Sequence, residues 1–102
     1  MRIKYRPAAI EDIRKASDYI AFVLKNPTAA ASLRSKIVNG ISLLKENPNM
    51  GALLSNKFDS IDSDYRYIVI SKQIVFYELD NDLIEIVRVL DGRTDYLSRL
   101  IE

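Results

Sequence analysis

Near its C-terminal end the chain reads Arg88-Val89-Leu90-Asp91-Gly92-Arg93-Thr94-Asp95-Tyr96, two arginines, two carboxylates and a tyrosine within nine residues. Arginine forks onto carboxylates and phosphates, and arginine and tyrosine are both common anchors of protein interfaces. Arg88 lies inside an apolar stretch, so it must pair or reach a surface, because a charge buried alone is costly. Two arrangements satisfy it. Arg88 pairs with a carboxylate such as Glu78 on a neighbouring strand, or Arg66, Arg88, Arg93 and Tyr96 converge at a sheet rim as an anion or partner site. Spacing alone leaves both open.

The rest of the composition narrows the chemistry. The 102 residues contain no histidine and no cysteine, which removes the commonest acid–base group, the commonest metal ligand, thiolate chemistry and disulfides. No metal and no cofactor is expected, and any reaction would run on Arg, Lys, Tyr, Asp, Glu or Ser. The net charge of +1 conceals an asymmetry: residues 1–60 hold ten Lys or Arg against five Asp or Glu, and residues 61–102 hold five against nine. Dedicated nucleic-acid binders carry a strong basic excess, and here the half with the suggestive run is acidic. The N-terminus, Arg2-Ile3-Lys4-Tyr5-Arg6-Pro7, is charged and alternating, with no apolar stretch behind it. No membrane segment is expected, and a cytoplasmic location follows.

Positioning these residues requires a single domain over residues 1–102, with about 65% of the unfolded surface buried. Arg2 to Arg6 alternates as a short strand, and Pro7 suits the first position of a helix. Ile13, Ala16, Ser17, Ile20, Val23 and Leu24 form one helical stripe, with Glu11 and Asp12 expected in its first turn. Asn26 and Pro27 restart the chain as a second helix, capped by Asn26, with Ala30, Leu33, Ile37, Ile41 and Leu44 on its buried face. Gly40 interrupts this face and predicts close helix–helix approach. The short link makes the two helices an antiparallel hairpin. After an irregular stretch from 51 to 64, the period changes to two. Tyr65–Ser71, Ile74–Asp80 and Leu83–Leu90 then read as a three-stranded antiparallel meander, turning at Lys72-Gln73 and Asn81-Asp82. A short helical tail covers Thr94 to Ile101. The fold class is α+β.

Alternation places Ile84, Ile86, Arg88 and Leu90 on one face of the last strand and Glu85, Val87 and Val89 on the other. Both faces of the meander are therefore largely apolar, unlike an antiparallel sheet with one wet face. The hairpin can cover one face. A partner chain is the simplest cover for the other, and a sheet-covering tail is the alternative.

In this order, several short segments resemble the ParE/RelE superfamily of type II toxin–antitoxin toxins over nearly the whole chain. They are Tyr5-Arg6-Pro7-Ala8-Ala9 with Asp12-Ile13, then Asn26-Pro27-Thr28-Ala29-Ala30 and Asn47-Pro48 with Gly51. Tyr65-Arg66, Val75-Phe76-Tyr77 and the run from Ile86 to Tyr96 complete the pattern. The resemblance implies a strand, helical hairpin, meander and tail, together with a cognate antitoxin whose disordered segment folds onto the toxin. Its contact residues would be Ile68, Ile70, Ile74, Phe76, Ile84 and Ile86. Two activities go with this superfamily. The RelE-like branch cleaves messenger RNA on the ribosome and would use Arg66, Arg93 and Tyr96, but two positions cationic in that branch correspond to Ile68 and Ile74. The ParE-like branch, which the Asn-Pro turn and the C-terminal run resemble more closely, is described as poisoning DNA gyrase by binding. Arg88, Arg93, Asp95 and Tyr96 would then be target-binding anchors, and the chain would be a binder rather than an enzyme.

Overall fold

The computed structural model describes residues 1–101. Its elements are β1 (Arg2–Tyr5), α1 (Pro7–Asp18), α2 (Pro27–Ser42), β2 (Ala52–Leu53), α3 (Leu54–Lys57), β3 (Arg66–Ile70), β4 (Gln73–Asp80), β5 (Leu83–Asp91) and α4 (Tyr96–Leu100). Extended backbone at Arg6 leads Pro7 into the first helical position. Asn26 caps α2 as expected, its side-chain oxygen accepting from the Ala29 amide at 3.0 Å, which satisfies one of the free donors of the first turn. The first turn of α1 holds no acidic residue. Glu11 instead pairs with Arg14 on the exposed face, and Asp12 is turned inward.

Five strands, not four, form one sheet in the order β1-β5-β4-β3-β2. β1 runs parallel to β5 and the other pairs are antiparallel. The first hairpin turns at Ser71 and Lys72, one residue earlier than the sequence suggested, and both have positive φ (49° and 69°). That geometry matches the right-handed twist of the flanking strands. The second hairpin turns at Asn81-Asp82 as expected, with Asn81 at φ 55°.

A bulge corrects the strict alternation expected along β5. Tyr77 opposes Ile86 and Phe76 opposes Arg88, so Val87 has no partner position. One extra residue inverts the facing of everything beyond it. Ile84 and Ile86 join the core under the helices, and so does Val89, while Val87 and Leu90 join the opposite core.

Both sheet faces are covered by the chain itself. On the helical side, Ala9, Ile37, Ile41, Leu44, Val75, Tyr77, Ile84, Ile86 and Val89 form one buried cluster, with Ile68 and Ile70 packed against it. On the other side, Leu54, Ile74, Phe76, Val87 and Leu90 form a second. Phe58, Ile61, Tyr65 and Tyr67, with Tyr96, Leu97 and Leu100 of the tail, close over it. The sheet-covering tail is therefore the arrangement adopted, and no partner is needed to bury this face.

Gly40 serves helix–sheet rather than helix–helix approach. A Cβ there would lie 2.5 Å from Ile70 Cδ1 of β3. Gly51 is more constrained, since its Cβ would sit 2.7 Å from the Tyr67 carbonyl oxygen and 2.6 Å from the Tyr77 hydroxyl. That hydroxyl is a hub: it accepts from the Gly51 amide at 2.9 Å and donates to the Pro48 carbonyl at 2.8 Å. The fully buried Tyr77 thus fixes the path of the chain between α2 and β2. Tyr77→Phe should cost about 1–3 kcal/mol, because it strands a donor and an acceptor together, and urea unfolding would measure it. Burial also pushes the Tyr77 phenol above its ordinary range. The native protein therefore loses stability as pH rises past the usual tyrosine range, where the unfolded chain ionises first, and Tyr77→Phe should lose less over the same rise.

Candidate functional site

The four residues expected to converge have separate positions. Arg88 is the most deeply committed. Its Nε and Nη2 donate to the two carboxylate oxygens of Asp12 at 2.7 and 2.9 Å, and its Nη1 donates to the Arg99 carbonyl at 2.9 Å. The side chains of this pair are only 17% and 5% exposed. Asp12 also accepts from the Val89 amide at 3.0 Å, so one carboxylate seals the edge of β5 to α1. The partner of Arg88 is thus Asp12 and not Glu78, which is held by Arg6 together with Glu85.

Arg66 donates to the Gly51 carbonyl at 2.7 Å and braces the β2–β3 corner. Tyr96 opens α4 with its ring against Phe76, centroids 5.9 Å apart, and edge-on to Phe58 at 6.4 Å. It is a component of the second core. Asp95 is exposed just before that helix and accepts from the Ser98 hydroxyl at 2.8 Å.

Arg93 alone among the four projects into solvent, its side chain 65% exposed. The turn that carries it is well defined. Asp91 accepts from the Arg93 amide at 2.8 Å, from Nε at 3.0 Å and from Nη2 at 2.7 Å, and Thr94 Oγ1 donates to the Asp91 carbonyl at 2.7 Å. The Arg93 guanidinium holds the Asp91 carboxyl below its usual value, and Asp91 raises Arg93 in return. The arginine is presented on a fixed arm, as a binding residue should be.

What the fold gathers around Arg93 differs from the sequence expectation. A groove of about 530 Å³ runs between the end of the helical hairpin and the end of β5. Lys15, Arg93 and Arg99 supply its cations, and Tyr19, Leu24 and Leu33 much of its apolar wall. The carboxylates lining it, Asp12 and Asp91, are already engaged by Arg88 and Arg93. Two of its lining residues, Tyr19 and Leu24, belong with Phe22 and Val23 to an exposed apolar segment at the tip of the first helix, of which Phe22 is 74% exposed.

Val23 and Leu24 were expected in the core, and the tip shows why they are not. Residues Tyr19–Val23 form a π-helical turn, which takes more residues per turn than an α-helix and rotates the apolar stripe off the buried face. Lys15 and Arg99 carried no sequence signal, being single cations on otherwise ordinary helical segments. Among the described residues no group of three or more Asp or Glu side chains is placed to hold a metal ion, and no helix is long and apolar enough to cross a membrane.

The apolar residues suggested for antitoxin contact are not an open face. Ile74, Phe76, Ile84 and Ile86 are buried, and Ile68 and Ile70 are partly buried against the helical core. The physical reason is the double cover described above: the helical side buries Ile68, Ile70, Ile84 and Ile86, and segment 54–65 with α4 closes over Ile74 and Phe76.

Comparison with known proteins agrees with this architecture. No curated protein sequence matches the chain. A solved structure of the chromosomal ParDE toxin–antitoxin system from P. aeruginosa is similar in fold, with a TM-score of 0.74 at 22% identity, covering 89% of this chain and 95% of that one. The family model described as the ParE toxin of the type II toxin–antitoxin system parDE matches residues 3–96. That match, over more than nine tenths of a chain with the same strand, helical hairpin and meander, places this chain in the ParE toxin family of type II toxin–antitoxin systems.

Proposed function

We propose that this ParE toxin inhibits growth in the cytoplasm by binding and poisoning DNA gyrase, that a cognate antitoxin neutralises it, and that Arg93 is its principal target anchor. The observation that carries the reading is the commitment of the other candidate residues. Arg66 braces Gly51, Arg88 is bound to Asp12, and Tyr96 packs on Phe76. An in-line cleavage of RNA needs a base, an acid and cations focused on one phosphate, and here Ile74 is buried where the nuclease branch would have a cation. Exposed Arg93, with Lys15 and Arg99 around an apolar groove, suits a protein surface that anchors on arginine and excludes water. Asp95, exposed beside that turn, would contribute at its rim.

Inducing the chain alone in bacteria tests this reading. DNA-damage signalling and altered nucleoids should precede any fall in translation. With purified gyrase and supercoiled plasmid, the chain should accumulate cleaved DNA held on the enzyme. An early translation block with cleaved messages and intact DNA would overturn the gyrase reading in favour of the ribosome and messenger RNA as targets.

A further inference from the structure

The row of β4 side chains that faces the helices ends in a polar residue. Val75 and Tyr77 are fully buried in the helical-side core. Gln73 precedes them on the same face, since alternate residues of a strand share a face. It pairs with Asp91 across the ladder, is only 8% exposed, and lines the groove beside Arg93. Its carboxamide forms no hydrogen bond with any described residue. A polar group buried to this extent costs stability until a partner satisfies it, and the groove is the side from which a partner reaches it.

The groups around Gln73 select the chemistry of that partner. Lys15 and Arg99 line the same groove and form no ion pair among the described residues. Both of its carboxylates, Asp12 and Asp91, are already paired. The groove thus offers cations and no free carboxylate, between apolar walls that include Ile20, Leu33 and Val89. A carboxamide carries a donor and an acceptor side by side, the same two groups that a peptide unit carries. A phosphate or a lone carboxylate brings acceptors only and would leave the Gln73 oxygen without a donor.

We propose that this groove takes an extended acidic segment of the target protein and that Gln73 holds the main chain of that segment. The inference rests on the reading that the surface around Arg93 binds gyrase, and it names what that surface recognises. The Gln73 carboxamide pairs with one peptide unit of the segment. Residues two apart in an extended chain point the same way, so an apolar side chain and a carboxylate with one residue between them enter the groove together. The apolar one packs against Leu33 and Val89, and the carboxylate reaches Lys15 and Arg99. Cations alone attract any acidic surface. A buried carboxamide adds selectivity, because it accepts only a segment whose main-chain N–H and C=O are free, which an acidic helix does not offer.

Purified gyrase with supercoiled plasmid, and an NMR titration of the unaltered chain, test the proposal together. Gln73→Leu keeps a side chain of similar size that needs no partner, so the fold should hold. It should raise the concentration of chain at which cleaved DNA accumulates by about five- to a hundredfold, the loss of two hydrogen bonds. Gln73→Glu should weaken the hold further, because it turns a negative charge towards the carboxylate of the segment. The Lys15→Gln, Arg99→Gln double variant should weaken it by about tenfold and flatten its dependence on salt. Thermal unfolding checks that each variant folds. In the titration, a capped tripeptide of leucine, serine and glutamate should shift the side-chain amide signals of Gln73 and the methyl signals of Leu33. The same peptide with lysine in place of glutamate should leave them unmoved. Folded Gln73 variants as potent on gyrase as the unaltered chain, or Gln73 signals unmoved by the acidic tripeptide, would overturn the proposal and leave the gyrase reading intact. An unaltered chain that accumulates no cleaved DNA would sink both. A phosphorylated oligonucleotide that moves the Gln73 signals where the tripeptide does not would make a nucleic-acid phosphate the occupant and refute the proposal. So would Gln73 variants that lose the protein encoded beside this chain while trapping gyrase undiminished, which would make the antitoxin the occupant.

Discussion

Replacing Asp12 with alanine should destabilise the fold by about 3–5 kcal/mol, the range for removing one partner of a buried ion pair. Arg88 would keep its bond to the Arg99 carbonyl but lose the carboxylate that balances its charge in a site where its side chain is 17% exposed. The Val89 amide would lose its acceptor at the same time. A domain of this size is stabilised by about 5–15 kcal/mol in total, so the variant should lie near the threshold of folding, with Tm lowered by roughly 15–30 °C. The exposed pairs of Arg14 with Glu11 and Asp18 give the contrast. Glu11→Ala or Asp18→Ala should change stability by about 0.5 kcal/mol or less, since solvent screens both partners. Replacing both members of the buried pair, Asp12→Leu with Arg88→Met, should restore much of the loss, because no unbalanced charge remains. Urea unfolding of the four variants decides the matter. An Asp12→Ala loss no larger than that of Glu11→Ala would show that the pair does not fasten α1 to β5.

The Asp12–Arg88 pair also marks where sequence reading reaches its limit. Local signals were legible because they act over a few residues. Pro7 starts a helix, Asn26 caps one, and alternating Ile, Val and Tyr make the hairpins of β3, β4 and β5. The candidate site depends on long-range events that leave no periodic trace. Asp12 and Arg88 are 76 positions apart, and Asp12 read as a helix-start residue because acidic residues favour that end of a helix. The bulge at Val87 costs one residue and reverses the facing of Val89 and Leu90, which strict alternation must get wrong. The two-residue β2 is too short to show a period. The doubly apolar meander needs two covers, and its alternation shows that need. Its second cover came from Phe58, Ile61 and the tail, whose scattered apolar residues look like loop until the sheet beneath them is known. The turn that presents Arg93 was visible as Asp91-Gly92-Arg93, but the groove beside it is completed by Lys15, Tyr19, Leu24 and Leu33 of the helical hairpin, about sixty to eighty positions away.

Two substitutions, three residues apart in sequence, should separate binding from catalysis. Arg93→Ala should abolish growth inhibition while leaving stability within about 0.5 kcal/mol, the usual range for an exposed side chain. The turn survives, since the Arg93 amide keeps its bond to Asp91. An interface anchor is worth about 2–4 kcal/mol, which corresponds to roughly a 30- to 1,000-fold weaker hold on the target. Tyr96→Phe should behave in the opposite way. Phenylalanine retains the ring contacts with Phe76 and Phe58, so both fold and growth inhibition should persist. A nuclease that used the Tyr96 hydroxyl in proton transfer would instead lose about 10²–10⁴ in rate, and toxicity with it. Growth curves across a range of inducer, with protein levels matched by immunoblot, read both variants. Toxicity lost with Tyr96→Phe and kept with Arg93→Ala would reverse the assignment, moving the active group from the exposed arm to the edge of the second core.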